Sequence, residues 1–137
     1  FMVGPESEEQ ATVRRFGNFF AAGARLTVPF GTVILRKGYG LGAMAMAGGS
    51  FHAPEFTIAW PTGEIGGMGL EGAVRLGFRK ELDAVADPAE RDALFADLLA
   101  KAYEHGKALH SATTFELDDV IDPSTTRDWI RQLGRSR

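Results

Sequence analysis

The spacing of apolar positions changes several times along this chain, and each change predicts an element. Val13, Phe16 and Phe20 recur at helical intervals, Phe19 widens the apolar face, and Arg14 and Arg15 sit beside it. That period predicts an amphipathic helix. Ser7-Glu8-Glu9-Gln10 reads as a capping box opening it behind the breaker Gly4-Pro5, and Gly23 stops it. Thr32-Val33-Ile34-Leu35 is an unbroken β-branched and apolar run, so a strand is expected over Thr32–Arg36, with Pro29 confining what precedes it to a lead-in. Gly38, Gly40 and Gly42 then follow at every second position. Behind them Ala43–Ala47 has no polar position and predicts a short buried helix, ended by Gly48-Gly49. Phe56–Trp60, held between Pro54 and Pro61, predicts a second strand.

The second half is more helical. Thr62–Gly69 reads as a glycine-rich loop and Leu70–Phe78 as a short helix. Asp87-Pro88-Ala89-Glu90 is a strong helix start, with an N-cap Asp, Pro at the first position and Glu at the third. Leu94, Leu98 and Ala102, with Phe95, Leu99 and Tyr103 alongside, carry that helix to about Gly106. Thr114–Ile121 is expected to be extended, with the acidic Glu116, Asp118 and Asp119 on a solvated edge. Asp122-Pro123 caps a last helix through about Leu133, and Arg135–Arg137 are expected to fray. No internal repeat or low-complexity tract is visible. Strand, helix, strand is the order of a parallel or mixed sheet covered by helices, so the class is α/β.

Composition narrows the partners. The chain has 137 residues, one domain's worth, with 45% hydrophobic and 24% charged residues, as in an ordinary globular protein. A net charge of −3 gives no electrostatic reason to expect nucleic acid. The absence of cysteine rules out disulfides and thiolate metal sites. No apolar run is long enough to span a membrane and no signal peptide is evident, so a cytoplasmic setting is expected. The 17 glycines crowd into the middle of the chain. The opening Phe1-Met2 is expected to mark a cut chain or a piece of something longer.

Few side chains look like catalysts. Gly38-x-Gly40-x-Gly42 sits between strand and helix, but the spacing is not that of a dinucleotide fingerprint, no acidic residue ends the next strand, and the lysine of a P-loop is missing. His52, His105 and His110 are scattered without metal-type spacing, so no metal is expected. Ser50 beside His52 reads as a loop hydrogen bond rather than a nucleophile pair. Glu64 and Glu71 could act as acid or base, although capping or surface roles are favoured. Met44 and Met46 read as core. What remains is the backbone. Glycines tolerate close approach, and the first N–H groups of the helix behind them have no acceptor within the helix. They can receive an anion or a polarised carbonyl, and a purely structural turn is the competing reading.

Three separated blocks then carry a resemblance. Arg36-Lys37-Gly38-Tyr39-Gly40-Leu41-Gly42-Ala43-Met44 is the first. Ala59-Trp60-Pro61-Thr62-Gly63-Glu64 with Met68-Gly69-x-x-Gly72-Ala73-Val74 is the second. Asp118-Asp119-Val120-Ile121-Asp122-Pro123 with Thr126-Arg127 is the third. Together they resemble the carboxyltransferase subunits of biotin-dependent acyl-CoA carboxylases, the group that includes acetyl-, propionyl- and methylcrotonyl-CoA carboxylases. Phe1-Met2-Val3-Gly4 resembles the segment just after the first strand of the family's C-terminal half.

The resemblance implies a crotonase-like ββα superhelix, with residues 1–137 forming one partial domain, most of a carboxyltransferase C-terminal domain. It implies transfer of CO2 from carboxybiotin to the α carbon of an acyl-CoA, with two oxyanion holes made of backbone amides. The biotin-side pair falls on Gly42 and Ala43, with Tyr39, Gly40, Leu41 and Ala45 contacting substrate or biotin. The acyl-CoA-side pair belongs to the N-terminal half, so this chain is not expected to turn over alone. Implied partners are acyl-CoA, a biotin carboxyl carrier and biotin carboxylase subunit, the N-terminal half, and further copies in a homo-oligomer whose interface the apolar helices build. The alternatives are a non-catalytic assembly remnant of a carboxylase and a crotonase-like acyl-CoA decarboxylase.

Overall fold

The computed structural model describes residues 4–134. The readings of Phe1–Val3 and of fraying at Arg135–Arg137 lie outside those residues. In chain order the elements are α1 (Pro5–Glu9), α2 (Thr12–Gly23), β1 (Gly31–Ile34), β2 (Lys37–Tyr39) and α3 (Gly40–Met46). There follow β3 (Phe56–Ala59), β4 (Glu64–Gly66), α4 (Leu70–Gly77), α5 (Arg79–Ala84), α6 (Pro88–His105), α7 (Ala108–Thr113), β5 (Asp119–Val120), a 3-10 turn (Pro123–Thr125) and α8 (Thr126–Leu133).

β3 is the centre. All four of its residues are buried, as expected of a strand covered on both faces of a parallel sheet. β1 and β5 flank it, both parallel to it, with Val33 opposite Ile58 and Ile58 opposite Asp119. On one face Phe56, Ile58 and Ile121 form a cluster closed by Trp60, Trp129 and Leu133. Phe56 and Trp129 meet edge to face at 5.3 Å, and the Trp60 indole N–H donates to Thr126 Oγ1 at 3.0 Å, tying α8 down. On the other face Ile34, Ala59, Ile65, Ala108 and Leu117 form a second cluster.

A smaller parallel pair sets the site. β2 pairs with β4, Tyr39 lying opposite Gly66. The expected strand to Arg36 therefore stops at Ile34, where the chain bends into β2. The expected loop Thr62–Gly69 likewise contains β4. These are three-residue strands built on glycine, with no apolar alternation to betray them; their ladders come from the neighbouring backbone. The result is two successive β-β-α units, β1-β2-α3 and β3-β4-α4, without any repeat in sequence.

The helices needed further correction. Pro5 opens α1 instead of breaking it, because its fixed φ and missing N–H suit a first helical position. Ser7 consequently lies inside α1 and caps nothing, and Ala11, at φ 52°, separates α1 from α2. α6 begins as expected: Asp87 Oδ1 accepts from the N–H groups of Ala89 at 2.7 Å and Glu90 at 3.1 Å. α5 and α7 were not anticipated, and of the expected extended stretch 114–121 only β5 is a strand, because turns and bends occupy residues 114–118 behind α7. Asp118 is no mere solvated carboxylate, since its Oδ2 accepts the Thr57 N–H at 2.6 Å.

Candidate functional site

The β2–α3 junction meets the β4–α4 loop at glycine. Gly40 has φ +59°, and a Cβ there would lie 2.7 Å from the Gly67 carbonyl oxygen. Two backbones touch where no side chain fits. The helix expected at Ala43–Ala47 is assigned from Gly40, but the left-handed φ of Gly40 means that right-handed winding begins at Leu41. Gly42 and Ala43 are then the second and third residues of that winding, among the amides a helix leaves without an acceptor of its own.

A cavity of about 430 Å³ opens beside this turn. Its floor is Tyr39, Gly40, Leu41 and Gly42, its side is Gly67, Met68 and Gly69, and its roof is Val13, Phe16, Gly17 and Phe20 of α2. Four of the six residues expected at the site are thus gathered on one surface. Ala43 is half-buried in the next position of α3. Ala45 is 3% exposed and lines a separate recess of about 170 Å³ against Phe19, Ala22 and Phe30. The apolar face of α2 buries no residue completely; it roofs a hollow instead of sealing a core.

Tyr39 is fixed at this junction. Its hydroxyl donates to Glu64 Oε2 at 2.6 Å, across the β2–β4 pair. Burial, and then the Glu64 carboxylate, push the phenol well above its usual range, so it stays a proton donor. Nearby, the Tyr103 hydroxyl of α6 donates to Glu71 Oε1 of α4 at 2.9 Å. The Glu71 carboxyl is held below its usual range by a backbone N–H and then by this hydroxyl, and the Tyr103 phenol is raised chiefly by the same bond. Both glutamates weighed as acid or base therefore accept hydrogen bonds from tyrosines. The sequence held both residue types but nothing about their pairing, which needs strands 25 positions apart to align.

The remaining candidates disperse. The His52 backbone N–H donates to Ser50 Oγ at 3.1 Å, a loop bond as expected. His105 and His110, read as scattered, in fact stack edge to face at 5.5 Å. Among the described residues no group of three or more His, Cys, Asp or Glu could hold a metal. Met46 is 71% exposed, against the expectation of core. No helix of the described residues is long and apolar enough to cross a membrane.

The family described as Carboxyl transferase domain matches residues 1–133. The chain is 38% identical over 131 residues to the methylmalonyl-CoA carboxyltransferase 12S subunit of Propionibacterium freudenreichii subsp. shermanii, covering 93% of this chain and 24% of the relative. It superposes on a single-chain, multi-domain long-chain acyl-CoA carboxylase with a TM-score of 0.84 and 71% identity, covering 97% of this chain and 13% of that one. It also superposes on the transcarboxylase 12S subunit, a hexamer described with methylmalonyl-coenzyme A and methylmalonic acid bound, with a TM-score of 0.80 and 35% identity, over 97% of this chain and 25% of that one. The α/β architecture with parallel strands, expected to be crotonase-like, is the one these carboxyltransferase structures have. The chain spans about a quarter of the curated relative it matches, 24% of its length.

Proposed function

This chain belongs to the carboxyl transferase domain family, and we propose that it is the biotin-side part of the carboxyltransferase of a biotin-dependent acyl-CoA carboxylase. Residues 1–137 are a single partial domain, and the reaction moves CO2 from carboxybiotin to the α carbon of an acyl-CoA. The observation that carries this reading is the cavity whose floor is Tyr39, Gly40, Leu41 and Gly42, the same residues on which the family motif falls. Its glycine cradle, closed by Gly40 against Gly67, lets a flat polar group reach the main chain, so the residues present fit biotin.

Biotin, carried in by a partner domain or subunit, would supply the carboxyl group when bound, with negative charge developing on its ureido oxygen. The N–H groups of Gly42 and Ala43 donate to that oxygen. They are held by the helix before the charge develops, so no reorganisation is needed as it appears. Tyr39 and Leu41 flank the ring, and Gly40 keeps the approach open. Ala45 acts from below, its small side chain leaving room for α2 and, through it, for the acyl group. No side chain of this chain serves as base.

The acyl-CoA is held by an N-terminal half-domain, and a complete site forms when further copies and the biotin carrier and carboxylase components assemble, in the cytoplasm. The apolar residues left open around the cavity, Leu41 and Met68 among them, and Met46 at the neighbouring recess, fit such a contact. The test is reverse carboxyl transfer from methylmalonyl-CoA to free biotin by this chain, with and without a carboxyltransferase N-terminal half-domain. Transfer in the supplemented sample alone is expected. Transfer by the chain alone would put the second oxyanion hole in the wrong place. Silence in both, with the chain folded, would leave the assembly-remnant reading standing.

A further inference from the structure

We infer that Glu64 is a positioning residue for carboxyl transfer: by accepting the Tyr39 hydroxyl it sets the orientation of the β2–α3 turn and hence of the Gly42 and Ala43 amides. This rests on the biotin-side reading above. Tyr39 stands at the N-cap of α3 in extended geometry, immediately before the left-handed Gly40, and its ring forms part of the cavity floor. A turn made of Gly40, Leu41 and Gly42 has little side-chain packing of its own to hold its angle. The hydroxyl of Tyr39 provides a side-chain anchor at its start, through a 2.6 Å bond to a carboxylate. That length is typical of a charge-assisted O–H···O⁻ bond, among the stronger hydrogen bonds in proteins.

The acceptor is itself held on two sides. The Glu64 N–H donates to Arg36 O at 2.7 Å, which locks β4 to the chain just before β2. The next amide, Ile65 N–H, donates to Gly106 O at 2.7 Å, and Ala108 N–H donates to Gly63 O at 2.9 Å, which lock β4 to the α6–α7 junction. Glu64 therefore relays the position of the α6–α7 corner to the first turn of α3. Glu64 does not itself line the cavity and reaches it only through Tyr39, so its part is indirect.

The test uses this chain reconstituted with a carboxyltransferase N-terminal half-domain, assayed with methylmalonyl-CoA and free biotin. Tyr39→Phe and Glu64→Ala are each expected to lower kcat about tenfold, with the KM for the acyl-CoA unchanged. The double variant is expected to be no worse than either single one. Glu64→Gln, whose amide oxygen still accepts, is expected to restore most of the rate. Additive losses, or a rise in acyl-CoA KM at constant kcat, would overturn the inference. A second readout does not need turnover. In the ¹H–¹⁵N spectrum of the same complex, the Gly42 and Ala43 amide signals should shift alike in Tyr39→Phe and Glu64→Ala and return in Glu64→Gln. Unmoved signals would also overturn it. If Gly42→Pro transfers as fast as the parent protein, the biotin-side reading fails while the amide shifts still decide the role of Glu64.

Discussion

The sheet around β3 and the rim around β2 and β4 are built on opposite principles. Around β3, Phe56, Ile58, Ile121 and Trp129 close on one another, and Ile58 has no exposed surface. Around β2 and β4 main chain meets main chain where Gly40 lies against Gly67, a Tyr39–Glu64 bond ties the two strands, and apolar side chains such as Leu41, at 60% exposure, face outward. The first region holds the fold together through burial. The second keeps backbone amides and an apolar hollow open, which a closed core would have filled. Stability and the proposed chemistry are therefore assigned to different residues a few positions apart.

Substitutions should separate the two. Ile58→Ala leaves a cavity with nothing to refill it and is expected to lower stability by about 4 kcal/mol, read from urea unfolding. Gly42→Pro removes one amide donor and is expected to lower carboxyl transfer by about 100- to 1000-fold in the reconstituted enzyme. Its effect on the urea midpoint should be much smaller than that of Ile58→Ala. If the two variants swapped these signatures, the division of labour would be wrong.

Within the rim, adjacent glycines should behave differently. Gly40→Ala places a Cβ against the Gly67 carbonyl at positive φ and is expected to cost about 2 kcal/mol. Gly67→Ala meets nothing within 4 Å and is expected to stay within about 0.5 kcal/mol of the parent. Asp87→Ala removes the side-chain cap of α6 and should cost about 1 kcal/mol, visible as reduced helicity near the melting midpoint.

The smallest effect concerns pH. The Tyr39 phenol is raised in the folded state, so the folded protein keeps a proton that the unfolded chain loses, and stability falls as pH rises past the ordinary phenol range. Tyr39→Phe should flatten that alkaline decline when unfolding is compared at neutral and high pH. An unchanged slope would mean that burial and the Glu64 bond do not raise the Tyr39 phenol in solution.

Much of this molecule was legible before folding. The cap and period of α6, the buried run at β3, the short helix α4 and the end of α8 follow from local rules acting on neighbouring residues. The glycine turn ahead of a short apolar helix was legible on the same grounds, and the role proposed for its amides rests on that turn. The misses share one cause. β2 and β4 contain too few side chains to mark a strand, and Pro5 and Ser7 carry signals that two different helix starts could satisfy.

The sequence by itself determined the parallel α/β core, through β-branched and apolar runs that can be stable only when covered on both faces, and it marked the glycine-rich turn on which the proposed backbone site falls. Only the tertiary structure decided which backbones meet. The contact of Gly40 with Gly67, the roof that α2 lays over the turn, and the bond from Tyr39 to Glu64 each join residues far apart in the sequence. Such pairings depend on strand register and packing angle, which are properties of the whole folded chain and of no single stretch within it.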